Sequence, residues 1–142
     1  LAALELGRRR HQSLLPEKTS IKNSRDIAHY LKDKLTDLRH EVFAVIFLNR
    51  ANKIKHFEII SSGGITGTVA DPRMILRKAI EEDATSIILS HNHPSGNLTP
   101  SKADEELTLK IKHAASFFDI KILDHIIVSE EGYFSFSDEG IL

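Results

Sequence analysis

Cysteine is missing from all 142 residues of this chain, which excludes disulfides, thiolate nucleophiles and cysteine-based zinc sites. Any metal must be held by His, Asp or Glu. Long apolar runs are missing too: nothing approaches the roughly 20 residues of a membrane span, and no charged-apolar-small signal peptide opens the chain. A soluble, cytoplasmic protein with no membrane partner is expected. Neither sign of charge is in excess, since 19 Lys and Arg against 20 Asp and Glu leave a formal net charge of −1. Nonspecific nucleic-acid binding draws on a strongly positive field, so such binding is expected to be weak and salt-sensitive. Internal repeats and low-complexity segments are also lacking. What is present is an ordinary globular balance, 41% hydrophobic and 27% charged, in a length that can bury roughly two-thirds of the surface its unfolded form would expose.

The chain opens with Leu rather than Met and is expected to be part of a longer protein. Residues 1–20 read as a short helix and linker: apolar positions 1, 4 and 6, the basic cluster Arg8-Arg9-Arg10-His11, and Pro16. The cluster reads as a solvated face or linker ahead of a nucleic-acid site, and deleting residues 1–12 is expected to remove most nucleic-acid binding. Residues 21–142 read as one domain. Asn23 or Ser24 can cap a helix to about Leu38, with Ile27, Tyr30, Leu31, Leu35 and Leu38 on its apolar stripe. The period then changes to a nearly continuous apolar run, Glu41–Asn49, which with a turn at 50–53 and Ile54–Ile60 reads as a hairpin. A short strand is expected over Ile65–Val69 and a helix after Asp71-Pro72. Ile87–Leu89 reads as a compact buried strand, Thr99-Pro100 as cap and first turn of a helix to about Phe118, and Ile120–Val128 and Tyr133–Phe136 as strands. Strands and helices alternating in this way predict an α/β fold with one mixed sheet flanked by helices.

The densest chemistry lies in residues 91–104, His-Asn-His-Pro-Ser-Gly-Asn-Leu-Thr-Pro-Ser-Lys-Ala-Asp. At a strand end, alternation points the His91 and His93 imidazoles to the same side. Ser101 and Asp104, spaced i, i+3 at a helix start, share one face of its first turn. A catalytic zinc site uses three protein ligands and leaves a position for water, and His91, His93 and Asp104 supply that count, for one Zn2+ per chain. Taken alone, Ser101 and Asp104 also read as a capping box, and His-x-His alone is a weak metal signal. Capping explains neither histidine. His125, after Asp124 in an apolar run, reads as a buried histidine satisfied by backbone, ahead of a supporting role behind a metal ligand.

His91-x-His93-Pro94, six residues, then Ser101-x-x-Asp104 resembles the JAMM motif of the MPN (JAB) metalloprotease fold. Across about residues 24 to 140 the chain is similar to the RadC family within that fold, through His91-Asn92-His93-Pro94-Ser95-Gly96, Pro100-Ser101, Asp104, Asp124-His125-Ile126-Ile127 and Ser135-Phe136. The resemblance implies a fold related to that of cytidine deaminases, a zinc metalloprotease or isopeptidase activity on a peptide or protein substrate, and a preceding helix-hairpin-helix part of which residues 1–10 look like the end. Deaminase chemistry itself is disfavoured, because zinc deaminases need Cys ligands. It also implies a general acid/base glutamate on an early strand, at the position of Glu41, with Ser101 stabilising the oxyanion. The residues alone do not single out Glu41 from Glu58, Glu81 or Glu82. Asn92 departs from the deubiquitinating branch of the fold, which favours Ser or Thr there, and no insertion around the site resembles the extra segments of those enzymes. Two other readings stand beside hydrolysis: a DNA-repair-associated protein that binds or processes DNA, after the family's traditional label, and an inactive MPN interaction module.

Overall fold

Two strands with every residue buried, β1 (Val42–Leu48) and β3 (Ser86–Asn92), lie side by side near the middle of the sheet. The computed structural model describes residues 20–35, 37–63 and 70–142. Around the two strands the chain places α1 (Ser24–Leu35), β2 (Ile54–Ser62), α2 (Pro72–Glu81), α3 (Lys102–Ser116), β4 (Lys121–Ser129) and β5 (Gly132–Ser135). The five strands form one sheet in the order β2-β1-β3-β4-β5, antiparallel except for the parallel pair β3 and β4. This is the expected mixed α/β sheet. Residues 1–19 of the expected segment 1–20, and the strand expected over Ile65–Val69, lie outside the described residues.

Local chemistry accounts for the element ends. The Asn23 side chain accepts from the Asp26 amide at the start of α1, and Asp71 caps α2 by accepting from the Arg73 amide at 2.9 Å, with Pro72 in the first turn. The helix of α1 ends at Leu35 rather than Leu38, where the Leu38 amide closes a tight turn on the Leu35 carbonyl, although Leu38 still packs against the core. In the β1–β2 hairpin, Asn49 accepts from the Ala51 and Lys53 amides, and Asn52 takes the left-handed conformation (φ 56) that asparagine tolerates. The cap of α3 is Ser101, not Thr99 as the Thr-Pro pair suggested; its side chain finds the Asp104 amide, which a Thr99 cap would leave unserved.

Alternation along the central strands divides the core into two layers. Val42, Ala44, Ile46, Leu48 and Ile88 pack with Ile27, Leu31 and Leu35 of α1, while Phe43, Val45, Phe47, Ile87 and Leu89 pack with Ile75 and Ala79 of α2 and Ile111 and Ala115 of α3. One irregularity breaks this alternation in β4. Ile87 pairs with Ile122 but Ile88 pairs with Asp124, so Leu123 is an extra residue, a β-bulge. Ile122 belongs to the α2–α3 layer and Leu123 to the α1 layer, and beyond the bulge Ile126 and Val128 again belong to the α1 layer. No helix among the described residues is long and apolar enough to cross a membrane.

Candidate metal centre

Because β3 and β4 run parallel, their C-terminal ends meet at one rim of the sheet, and antiparallel β1 brings its N-terminal end to the same rim. Phe43 pairs with His91 and His91 with Ile127, so Glu41, just before β1, sits beside the His-x-His segment. The N-terminus of α3 approaches from the α2–α3 face. The Nε2 atoms of His91 and His93 lie 2.9 Å apart, Glu41 Oε1 is 3.9 Å from His91 Nε2, and Asp104 Oδ2 is 3.5 Å from the same atom. The ligand atoms of Glu41, His91 and His93 all fall within 4.8 Å of one another. The fold thus brings Glu41, His91 and His93 into one ligand group and sets Asp104, expected as the third ligand, against His91 but outside that group, whereas Glu58, Glu81 and Glu82 are drawn to Lys78 at 3.8, 3.9 and 3.6 Å.

The hydrogen bonds behind the two rings determine which nitrogen carries the proton. The Thr108 hydroxyl donates to the Asp104 carbonyl at 2.7 Å, so it must accept from His125 Nδ1, 2.6 Å away. Burial, and then the neighbouring His91, hold the His125 pKa well below the ordinary histidine range, so that ring is neutral and its Nε2 is an acceptor. It accepts from His91 Nδ1 at 2.8 Å. His91 therefore presents a bare lone pair at Nε2. His93 does likewise, because its Nδ1 donates to the Asn97 carbonyl. Two imidazole lone pairs facing each other at 2.9 Å, flanked by two carboxylates, are stable only with a cation between them, a shared proton or a metal ion. With nitrogen and oxygen donors and no sulfur, the set suits zinc.

Asp104 and Ser101 serve the helix and the site at once. Ser101 Oγ accepts from the Asp104 amide at 3.0 Å and Asp104 Oδ2 accepts from the Ser101 amide at 2.8 Å, a complete capping box. Burial alone would raise the Asp104 pKa, but positive charge at the His91 ring, the cation that the facing rings require, and the Ser101 bonds outweigh it and hold the carboxyl well below the usual carboxylate range. Capping and ligand geometry are compatible here. Because Ser101 Oγ accepts from the helix, its own proton is free to point outward. An open cleft of about 460 Å³ adjoins His93, bounded by Arg39, Pro94, Ser95, Glu130 and Glu131.

Thr108 was not expected from sequence, and His125 takes the second of its two expected roles. His125 is satisfied not by backbone but by His91 on one side and Thr108 on the other. Thr108 is a buried polar residue on the same α3 stripe as Ile111 and Ala115, and a threonine at such a position was the available signal. Behind them Asp124 accepts from the His125 and Ser137 amides and from the Ser135 hydroxyl, and its burial raises its pKa despite those bonds.

The sequence has relatives among known proteins. Residues 21–141 match the family described as "RadC-like JAB domain". A UPF0758 protein of Flavobacterium johnsoniae is 46% identical over 99% of the chain, and others from Porphyromonas gingivalis and Streptococcus sanguinis are 43% and 41% identical over 100% and 97% of it. The chain spans 62%, 63% and 61% of those relatives' lengths. A five-stranded mixed sheet, a rim that gathers His91, His93, Asp104 and Glu41, and a family match across nearly all the described residues lead to one assignment: the chain belongs to the RadC-like JAB domain family.

Proposed function

We propose that this domain is a zinc-dependent hydrolase of peptide or isopeptide bonds, with one Zn2+ held by His91, His93 and Asp104. The observation that carries the reading is the pair of converging Nε2 lone pairs, each enforced by a donor bond at the opposite ring nitrogen. When bound, zinc supplies Lewis acidity, polarising a carbonyl and lowering the pKa of water to near 7. Glu41, at the rim and not engaged by the Lys78 cluster, takes the proton from the attacking water and returns it to the leaving amine. Ser101 donates its free hydroxyl proton to the oxyanion that forms on the substrate carbonyl, where one such donor is worth roughly 3 kcal/mol. Asp104 anchors both groups to the helix start.

The test is a peptide and isopeptide library offered to zinc-loaded protein whose metal content, expected near one per chain, is known from elemental analysis. Glu41→Gln should abolish hydrolysis while zinc stays bound, because Gln keeps size and hydrogen-bonding reach but cannot take the proton. Ser101→Ala should lower turnover roughly 100-fold. Full turnover in Glu41→Gln, or no cleavage of any library member by the loaded wild type, overturns the reading.

A further inference from the structure

Asn92 stands between the two histidines yet belongs to neither the proposed ligand set nor the proton path. It is 3% exposed, and both ends of its carboxamide are engaged. Oδ1 accepts from the Val42 amide at 2.7 Å, and Nδ2 donates to the His40 carbonyl at 3.0 Å. Those two groups belong to successive peptide planes, the one entering Glu41 and the one leaving it. One rigid planar group therefore holds both peptide units whose rotation would swing the Glu41 side chain.

The backbone needs this support. The β1–β3 ladder ends at Phe43 and His91, and beyond it the chain after β3 turns to β4, His93 donating its amide to the Val128 carbonyl at 2.9 Å. On the β3 side, the Asn92 side chain takes the place of a ladder partner for the residues flanking Glu41. On the β2 side the Glu41 carbonyl accepts from the Gly63 amide at 2.8 Å, so the segment is gripped from both edges. Serine or threonine has one oxygen on a shorter arm and cannot serve both planes. Aspartate keeps the acceptor for Val42 but sets a carboxylate oxygen against the His40 carbonyl.

We propose that Asn92 is the positioning residue for Glu41, fixing its carboxylate at the rim opposite His91. The inference rests on Glu41 being the proton-handling group of the proposed hydrolase. It is tested with zinc-loaded wild type, Asn92→Ala, Asn92→Asp, Glu41→Gln and the Asn92→Ala/Glu41→Gln double variant, and with cobalt-substituted forms of the first three. Zinc affinity, measured by chelator competition, should stay within about threefold, because the β3–β4 pairing holds both histidines independently of Asn92. Pseudocontact shifts of the Glu41 side-chain carbons should move or broaden in both Asn92 variants. Turnover should fall about 100-fold with KM little changed, and the double variant should be no slower than Glu41→Gln alone. An unmoved Glu41 shift, a zinc affinity that falls in step with turnover, or additive losses in the double variant would each overturn the proposal. Asn92→Asp carries the same readouts should Asn92→Ala not fold. A wild type that binds cobalt but cleaves nothing removes the hydrolase reading alone, and the Glu41 shift still decides the role of Asn92.

Discussion

The two halves of β3 are equally buried and chemically opposite. Ile87, Ile88 and Leu89 are apolar and need only neighbours of the right shape; Ser90, His91 and Asn92 are polar, and each side chain has a hydrogen-bond partner. Burying a polar group without a partner costs roughly 1–3 kcal/mol, so the second half can exist only inside a network, while the first can exist in any well-packed core. The difference separates two tasks within seven residues: one half holds the sheet together and the other holds ring orientations.

Variants in each half of β3 should separate the two tasks. His91→Ala should reduce bound zinc from about one per chain to near zero while leaving a folded domain. Leu89→Ala should cost about 2–5 kcal/mol of stability yet leave the folded protein able to bind zinc. Denaturant titration and elemental analysis of both variants check this, and a Leu89→Ala protein that is folded but metal-free would show that the halves are not separable. A smaller effect is expected from Thr108→Val, which keeps shape and deletes the hydroxyl that orients His125. Zinc affinity should fall about 10- to 100-fold, with the nitrogen-15 shifts of His91 reporting a mixture of tautomers. Unchanged affinity would sink the relay through His125.

The smallest effect is on pH dependence. The His125 pKa in the folded protein is lowered, first by burial and then by His91, whereas in the unfolded chain it titrates near roughly 6.5. Below that pH the unfolded chain binds a proton that the folded chain refuses, so stability is lost as pH falls, by about 1.4 kcal/mol per pH unit, and the contribution vanishes above it. Urea melts of chelator-treated wild type and His125→Gln at about pH 7.5 and about pH 5.5 should show the wild type losing more. Equal losses would mean that His125 takes up its proton without unfolding.

Much of the fold was legible because its signals are local. Continuous apolar runs marked β1, β3 and β4, and Asp71-Pro72 marked the start of α2. The His-x-His spacing and the Ser101–Asp104 pair were likewise visible, since each lies within one turn or strand end. Glu41 was different. Only the family resemblance singled it out, because its proximity to His91 is created by strand pairing between segments about 50 residues apart. Thr108 escaped for the same reason, and His125 was legible as a buried histidine but its partners were not: the polar atoms of the two satisfy one another across α3 and β4, and nothing in either segment alone announces the partner. Two cap signatures overlap at the start of α3, Thr99-Pro100 and the Ser101-x-x-Asp104 box, and the bond from the Asp104 amide to Ser101 decides for the second.

The extra residue Leu123 in β4 has a consequence for how the length of this chain can vary. Before it the strand is read in one frame and after it in the other, so His125 shares a face with Leu89, its pairing partner, instead of falling on the α1 side. Removing that extra residue would leave Asp124 opposite Ile88 and His125 opposite Leu89 in an unbulged strand, so both faces would keep their side chains. A one-residue change elsewhere in β4 instead sends every later side chain to the opposite face, transposing wall and site together. Single-residue deletions compatible with the centre therefore fall at the bulge, and others belong in the loops.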